Sequence, residues 1–353
     1  MGKPLLIIDK HPFGGLTDSY MWCKYLRDKY DVKIVTLNIG NYQSLSMEDV
    51  DVVEIKHRNR MVRAFLFVLM CIYQILVAKG PILVVYFEAA LLLKRIFFWK
   101  KMILDVRTMA VSHIEEERNK YDRKLRKACE IYDYCTLISE GIREKLSVPK
   151  EKSSILPLGS DSMSDKTKDF DSLRLLYVGT LCGRDLEKTI IGTSLFKQQY
   201  PEIPISYDIV GGSYSNELDK FKMLISEYDL QDVVTLHGPI MHNKLSKFFD
   251  SCNIGVSFIP ITDYFHHQPP TKTFEYIASG LYCLATATFA NREVINDNNG
   301  ILISDSAESF ADGLKIIWVN RKDIDEVKMR NTVNSYLWKT IVNHSLKPII
   351  EKW

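Results

Sequence analysis

The chain has 353 residues, enough for about two domains at roughly 150 residues each. It is 46% hydrophobic and 25% charged, a composition that excludes a disordered tail, a fibrous repeat and a disulfide-stapled miniprotein. The net charge of +2 hides an asymmetry: residues 1–160 hold 26 Lys and Arg against 19 Asp and Glu, and residues 161–353 hold 20 against 25, so the two halves are expected to face different partners.

From the N-terminus, apolar strand-like runs at 5–8, 32–37, 82–87, 102–106, 134–138 and 154–156 alternate with helical patterns near 17–29, 61–79, 88–99, 115–131 and 140–147. That alternation predicts a parallel sheet with crossover helices. The opening MGKPLLIIDK reads as no signal peptide, its apolar run being short and followed by charges. The apolar stretch 64–78 has fifteen residues with Arg60 and Arg63 at its mouth. That falls short of the roughly 20 a membrane span needs, so no span is expected. Residues 159–172, GSDSMSDKTKDFDS, are polar and aperiodic and read as a linker.

The pattern then restarts. Strands are expected at 173–179, 205–211, 233–238, 253–259, 281–287 and 300–303, with helices near 185–199, 214–228, 243–251, 272–279 and 306–319. The expected fold is therefore α/β, two Rossmann-like doubly wound domains facing across a cleft, with ligands outside the carboxyl ends of the strands. The first domain covers 1–160 and the second 161–330, and a helical tail at 331–353 packs back on the first. Seven scattered cysteines without a CxxC pair argue against a zinc site or a disulfide framework and favour a reducing cytoplasm.

Several positions are candidates for chemistry. Gly14 and Gly15 follow the first strand, where missing Cβ atoms let backbone N–H groups approach an anion; a turn needing positive φ explains them equally. Neither a GxGxxG fingerprint nor a Walker A loop is present, which disfavours a dehydrogenase. In LLYVGTLCGRDLEKT, Gly179 ends a strand, and Arg184 and Lys188 open the next helix against its dipole. A phosphate there would account for them, and so would two solvated surface charges. Pro269 and Pro270 precede a helix opened by Thr271 and Lys272, with Glu275 expected in its first turn. A capping box fails because position 272 is Lys, which leaves a carboxylate able to accept the two hydroxyls of a ribose.

Pro270, Thr271, Lys272, Glu275, Tyr276, Ala278 and Gly280 resemble the donor-binding signature of family 4 retaining glycosyltransferases of GT-B fold, Pro-Thr-Lys-x-x-Glu-Tyr-x-Ala-x-Gly. The YVG at 177–179, the IVGG ending at Gly212, the LHG containing His237 and the LPLGSD at 156–161 are similar to that family's other recurring pieces. The resemblance implies that Glu275 binds ribose hydroxyls of a nucleotide diphosphate sugar and that Arg184 and Lys188 stabilise the leaving diphosphate. It also implies that Gly14 and Gly15 meet the donor pyrophosphate. Gly179, Gly212, His237, Thr271 and Lys272 would complete the donor site. Many members carry a second Glu eight positions before the ribose-binding one; here that position is His267, beside His266 and Gln268. Arg107, ending the strand ILDV, stands near the family's usual place for a residue at the reacting sugar and acceptor.

Residues 58–127 hold 15 Lys and Arg against 6 Asp and Glu, interleaved with Phe97, Phe98 and Trp99. Buried packing helices and peripheral contact with an anionic bilayer both fit; nucleic acid does not, for want of any recognition motif. The expectation is a retaining hexosyltransferase moving sugar from a nucleotide diphosphate sugar to a hydroxyl acceptor, glycan or lipid-linked, in polysaccharide biosynthesis. It would need no cofactor or metal and would work in the cytoplasm at the inner face of the plasma membrane. The alternatives are a sugar-nucleotide epimerase and a non-catalytic subunit of the same fold.

Overall fold

Strand and helix alternate along the chain. The computed structural model describes residues 2–38, 40, 45–112, 114–213 and 216–353. By contacts they fall into two units, Met1–Gly159 with Trp338–Trp353, and Ser160–Leu337.

The first unit runs β1 (Lys3–Ile8), α1 (Thr17–Leu26), β2 (Tyr30–Asn38), β3 (Val50–Lys56), α2 (Arg60–Val77), β4 (Ile82–Val85), α3 (Ala90–Ile96), β5 (Ile103–Val106), α4 (Glu115–Ile131), β6 (Tyr134–Leu137), α5 (Glu140–Leu146) and β7 (Ser153–Ile155). The sheet order is β3-β2-β1-β4-β5-β6-β7, and every pairing is parallel. β1, β4 and β5 are short apolar runs because helices cover both faces. β3, VDVVEIK, was not expected. It is an edge strand in which Asp51, Glu54 and Lys56 interrupt the apolar residues, so it lacks the continuous apolar run of the central strands. Helices end as local chemistry dictates: Asn59 caps α2 by accepting from the Met61 and Val62 N–H groups, and Ser139 caps α5 through Ile142 N–H.

The second unit runs β8 (Leu173–Val178), α6 (Glu187–Gln199), β9 (Ile205–Val210), α7 (Glu217–Glu227), β10 (Val234–Gly238), α8 (Ser246–Ser251), β11 (Ile254–Ser257), α9 (Thr271–Ala278), β12 (Tyr282–Thr286), α10 (Phe289–Arg292), β13 (Gly300–Ile303), α11 (Ala307–Asn320) and α12 (Glu326–Asn331). Positions 214 and 215, at the start of the helix expected over 214–228, lie outside the described residues. The sheet order is β10-β9-β8-β11-β12-β13, again parallel throughout. Both units are thus doubly wound Rossmann-like sheets.

Two expectations need correction. Residues 160–172 are not a free linker but a strap bound to the second unit. The Lys168 ammonium is buried and donates to the Phe249 and Asp250 carbonyls at the end of α8, Ser164 donates to Asp250 at 2.6 Å, and Asn253 donates to the Asp169 and Ser172 carbonyls at 2.7 Å each. Polar side chains here satisfy helix-end carbonyls, a role that leaves no apolar period. The tail returns later than position 331: residues 331–337 stay with the second unit. The chain rejoins the first unit at Trp338, whose ring lies where a Cβ on Gly159 would stand, and α13 (Trp338–Ile341) packs on α1 before α14 (Lys347–Glu351).

Candidate functional site

Because the second sheet is wholly parallel, the loops after its strands share one edge, and the strand order reverses between β8 and β11. Such a reversal opens a crevice between the two flanking loops. The loop after β8 begins at Gly179, and the one after β9 holds Gly211 and Gly212. A Cβ on Gly211 would stand 1.9 Å from the Gly179 carbonyl, so only glycine lets the two loops lie this close. Together with Thr180, Ser213 and Pro239 they line a pocket of about 410 Å³. Arg184, further along the β8 loop, lies over the Phe265 ring at 4.5 Å, and Phe265 belongs to the loop after β11. The two loops flanking the reversal therefore meet through a guanidinium. Its charge also reaches Tyr177, whose hydroxyl donates to the Thr180 carbonyl at 2.7 Å.

Lys188 is placed differently from expectation. Burial works against its charge, but the hydrogen bond from Nζ to Asp185 at 2.9 Å and the neighbouring Asp305 and Glu187 hold its pKa above the usual value. A phosphate would have to take Lys188 from Asp185, a residue of its own turn.

α9 is fixed from both ends. Tyr276 accepts the Val178 N–H at 2.8 Å through its hydroxyl, and Thr273 bonds Ser257 at 2.7 Å, which hold the helix on β8 and β11. At the far end Arg330 donates to the Ala278 and Ser279 carbonyls. Pro270 precedes the helix, and no side chain caps it. Thr271 and Lys272 open it, half-buried. Glu275 is its fifth residue, so it stands in the second turn, a correction to the first-turn expectation; it is 5% exposed and paired with Lys272 Nζ at 2.5 Å. His242, in the turn after β10, senses the same pair: packing lowers its pKa, Glu275 opposes this and Lys272 adds to it. His242 was not foreseen, since nothing in a lone histidine of a polar turn marks its neighbours.

Two other expected histidines lie apart from this pair. His237 is the extra residue of a bulge in β10; its Nε2 meets Asp208 at 2.5 Å and its ring stands edge-on to Phe248, so it does not line the glycine pocket. His267 packs against Phe289 at 4.8 Å and against His266 at 5.1 Å, within the β11 loop.

In the first unit the order reverses between β1 and β4. Gly14 and Gly15 sit in the exposed turn after β1, Gly14 with φ +84° and the Gly15 N–H donating to the Pro12 carbonyl. Arg107 is placed differently from expectation: its side chain is 7% exposed and turned onto the carboxylates of its own unit. It grips Asp105 with two bonds of 2.7 Å, donates to Asp18 at 2.9 Å and to the Leu156 carbonyl at 2.7 Å, and lies over Trp22. Burial pushes the Asp105 and Asp18 carboxyls up while the guanidinium opposes it. This is an ion-pair network that engages four of the five guanidinium N–H groups within the first unit.

Sequence reasoning missed the neighbouring pair. Asp9, buried at the end of β1, accepts His11 Nδ1 and the His11 N–H at 2.7 and 3.0 Å, and Ser19 donates to its other oxygen at 2.6 Å. His11 is 41% exposed, so the buried carboxylate orients an accessible imidazole at the β1 edge. The spacing Asp-x-His directly after a first strand was the available signal.

Residues 174–334 match the family described as glycosyl transferases group 1. Among curated proteins, none matches the chain by sequence. In solved structures the chain is similar to sucrose-phosphate synthase from Thermosynechococcus elongatus, with a TM-score of 0.77 at 16% identity, covering 99% of each chain. It is similar to Anabaena HepE in complex with UDP and glucose, with a TM-score of 0.74 at 13% identity, covering 99% of this chain and 100% of that one. A glycosyltransferase from Rickettsia africae follows at 0.73 and 14%, covering 99% and 98%. At such identities the likeness carries the fold, which is GT-B, and the match to the group 1 glycosyl transferase family falls within the C-terminal unit.

Proposed function

We propose that the chain transfers a sugar from a nucleotide diphosphate sugar to a hydroxyl acceptor with retention at the anomeric carbon. The observation that carries this is the meeting of Arg184 and Phe265 at the strand-order reversal, next to the glycine pocket and the buried Glu275 of α9. HepE is described in complex with UDP and with UDP-glucose, which supports a uridine nucleotide as the first donor to test.

In this reading the diphosphate lies along Gly179, Gly211 and Gly212, whose backbones admit close approach. Arg184 neutralises the charge that builds on the departing diphosphate, the term that dominates such chemistry. Glu275 accepts the ribose hydroxyls and Lys272 holds its carboxylate in place. The bond from the anomeric carbon to the phosphate oxygen breaks, the bond to the acceptor oxygen forms, and the acceptor proton leaves on the diphosphate. The acceptor is a lipid-linked glycan at the inner membrane face, and no metal takes part.

The test offers UDP-sugars and glycan acceptors to the purified chain and reads the anomeric configuration of the product by NMR. A retained configuration, lost together with turnover in Glu275→Ala, is expected. An inverted product would overturn retention, and isomerised sugar formed from donor alone would make the chain an epimerase. Full transfer by Glu275→Ala would remove that helix from the site.

A further inference from the structure

α2 carries apolar residues on two opposite faces. Phe67, Cys71, Gln74 and Ile75 are buried against the sheet of the first unit, where the helix contacts β1, β2 and β3. The other face, spaced by threes and fours, shows Val62, Phe65, Leu66, Leu69, Tyr73 and Leu76 to solvent, Phe65 at 64% exposure. A surface helix normally turns polar residues outward. Here the outward arc holds no charge, and a contiguous apolar patch of this kind marks an interaction surface.

The patch continues beyond the helix. Lys100 Nζ donates to the Ala78 carbonyl at 2.9 Å and so seats its own turn at the end of α2. That turn exposes Phe98 and Trp99, at 75% and 59%, packed edge-on at 5.0 Å. Bases stand around these aromatics and at both ends of the helix: residues 55–104 hold nine Lys and Arg against one acid, Glu88. Of the nine, Lys94 is buried against Asp133, while Arg58, Arg60, Lys79, Arg95 and Lys101 are exposed.

We infer that this face of α2, with Phe98 and Trp99, docks the protein on an anionic lipid bilayer, the helix lying in the plane of the interface. By length and composition alone Arg60–Val77 could cross a membrane. Its buried face, however, is part of the core of the first unit, and crossing would strip that core. An apolar arc with basic ends and interfacial aromatics is the pattern of a helix lying on anionic lipid. A second copy fits worse, because a two-fold contact through this arc would set one basic rim against another. The inference rests on the proposed function for what docking serves, namely access to a lipid-linked acceptor; the docking itself rests on α2.

The test is flotation of the purified chain with phosphatidylglycerol vesicles and with phosphatidylcholine vesicles, alongside thermal stabilisation by UDP. Expected are flotation with the anionic vesicles that weakens with salt, and a loss of about tenfold or more in Phe65→Glu/Leu69→Glu, whose circular dichroism and response to UDP stay unchanged. Arg58→Glu/Arg60→Glu should weaken it as well. Absence of flotation, flotation indifferent to the Phe65 and Leu69 changes, or a dimer that those changes dissociate without any vesicle binding would each overturn the inference. Lost flotation with UDP binding intact would leave the donor site standing.

Discussion

Arg107 donates through four of its N–H groups to Asp105, Asp18 and Leu156, so its removal strands two buried carboxylates. Breaking such a pair typically costs about 3–5 kcal/mol. Arg107→Ala is therefore expected to fail first in urea unfolding, with a loss of that order. A variant of wild-type stability that has lost only activity would return Arg107 to the catalytic role expected of it. The reason is legible afterwards: a strand end that already holds Asp105 offers a partner two residues away, and a cation at that spacing turns inward. Cysteine accessibility gives a second check. Burial pushes the Cys23, Cys71 and Cys252 thiols up to about 12, whereas Cys182, in the Arg184 loop, is half-buried. Thiolate is the reactive form. A thiol reagent at pH 8 should thus modify Cys182 first in the folded chain and all seven cysteines after denaturation. Early labelling of the buried set would contradict the packing.

At the scale of elements, α9 depends on its C-terminal anchor as much as on its functional end. Gly280 has φ +80°, and a Cβ there would meet the Arg330 and Glu326 side chains at 2.6 Å. Gly280→Ala is expected to destabilise by about 1–3 kcal/mol, through the backbone and through displacement of the Arg330 bonds to the Ala278 and Ser279 carbonyls. Calorimetric melting checks it, and an unchanged Tm would mean that this anchor is slack. The central strands of both sheets were readable because burial on both faces demands unbroken apolar runs. β3 was not, since an edge strand with Asp51 and Glu54 needs no such run. The strap at 160–172 was unreadable for the opposite reason: Ser164, Lys168 and Asp169 bond to backbone and side chains far along the chain, and polar partnership leaves no period. α2 was seen, but not its two-faced character, because a sequence that is apolar all round does not say which face a sheet will cover.

Across the whole molecule, Gly179, Gly212 and the α9 motif of the candidate site were legible because their spacing follows from close backbone approach and helix entry, which sequence records directly. Charge pairing is not recorded that way. Lys188 with Asp185, His237 with Asp208 and the Asp9–His11 pair emerge only once loops are in place. The basic first half and the acidic second half of the chain are the charge asymmetry that the proposed division between acceptor and donor sides would use. The most direct measurement of the donor claim is thermal unfolding with and without UDP-sugar. At about 100 times the dissociation constant the chain should gain about 2.7 kcal/mol. Arg184→Ala should shift the concentration needed by about tenfold or more, the worth of one charge-assisted bond. No stabilisation by any nucleotide sugar, or stabilisation that Arg184→Ala and Glu275→Ala leave untouched, would contradict a donor site at this edge of the second sheet.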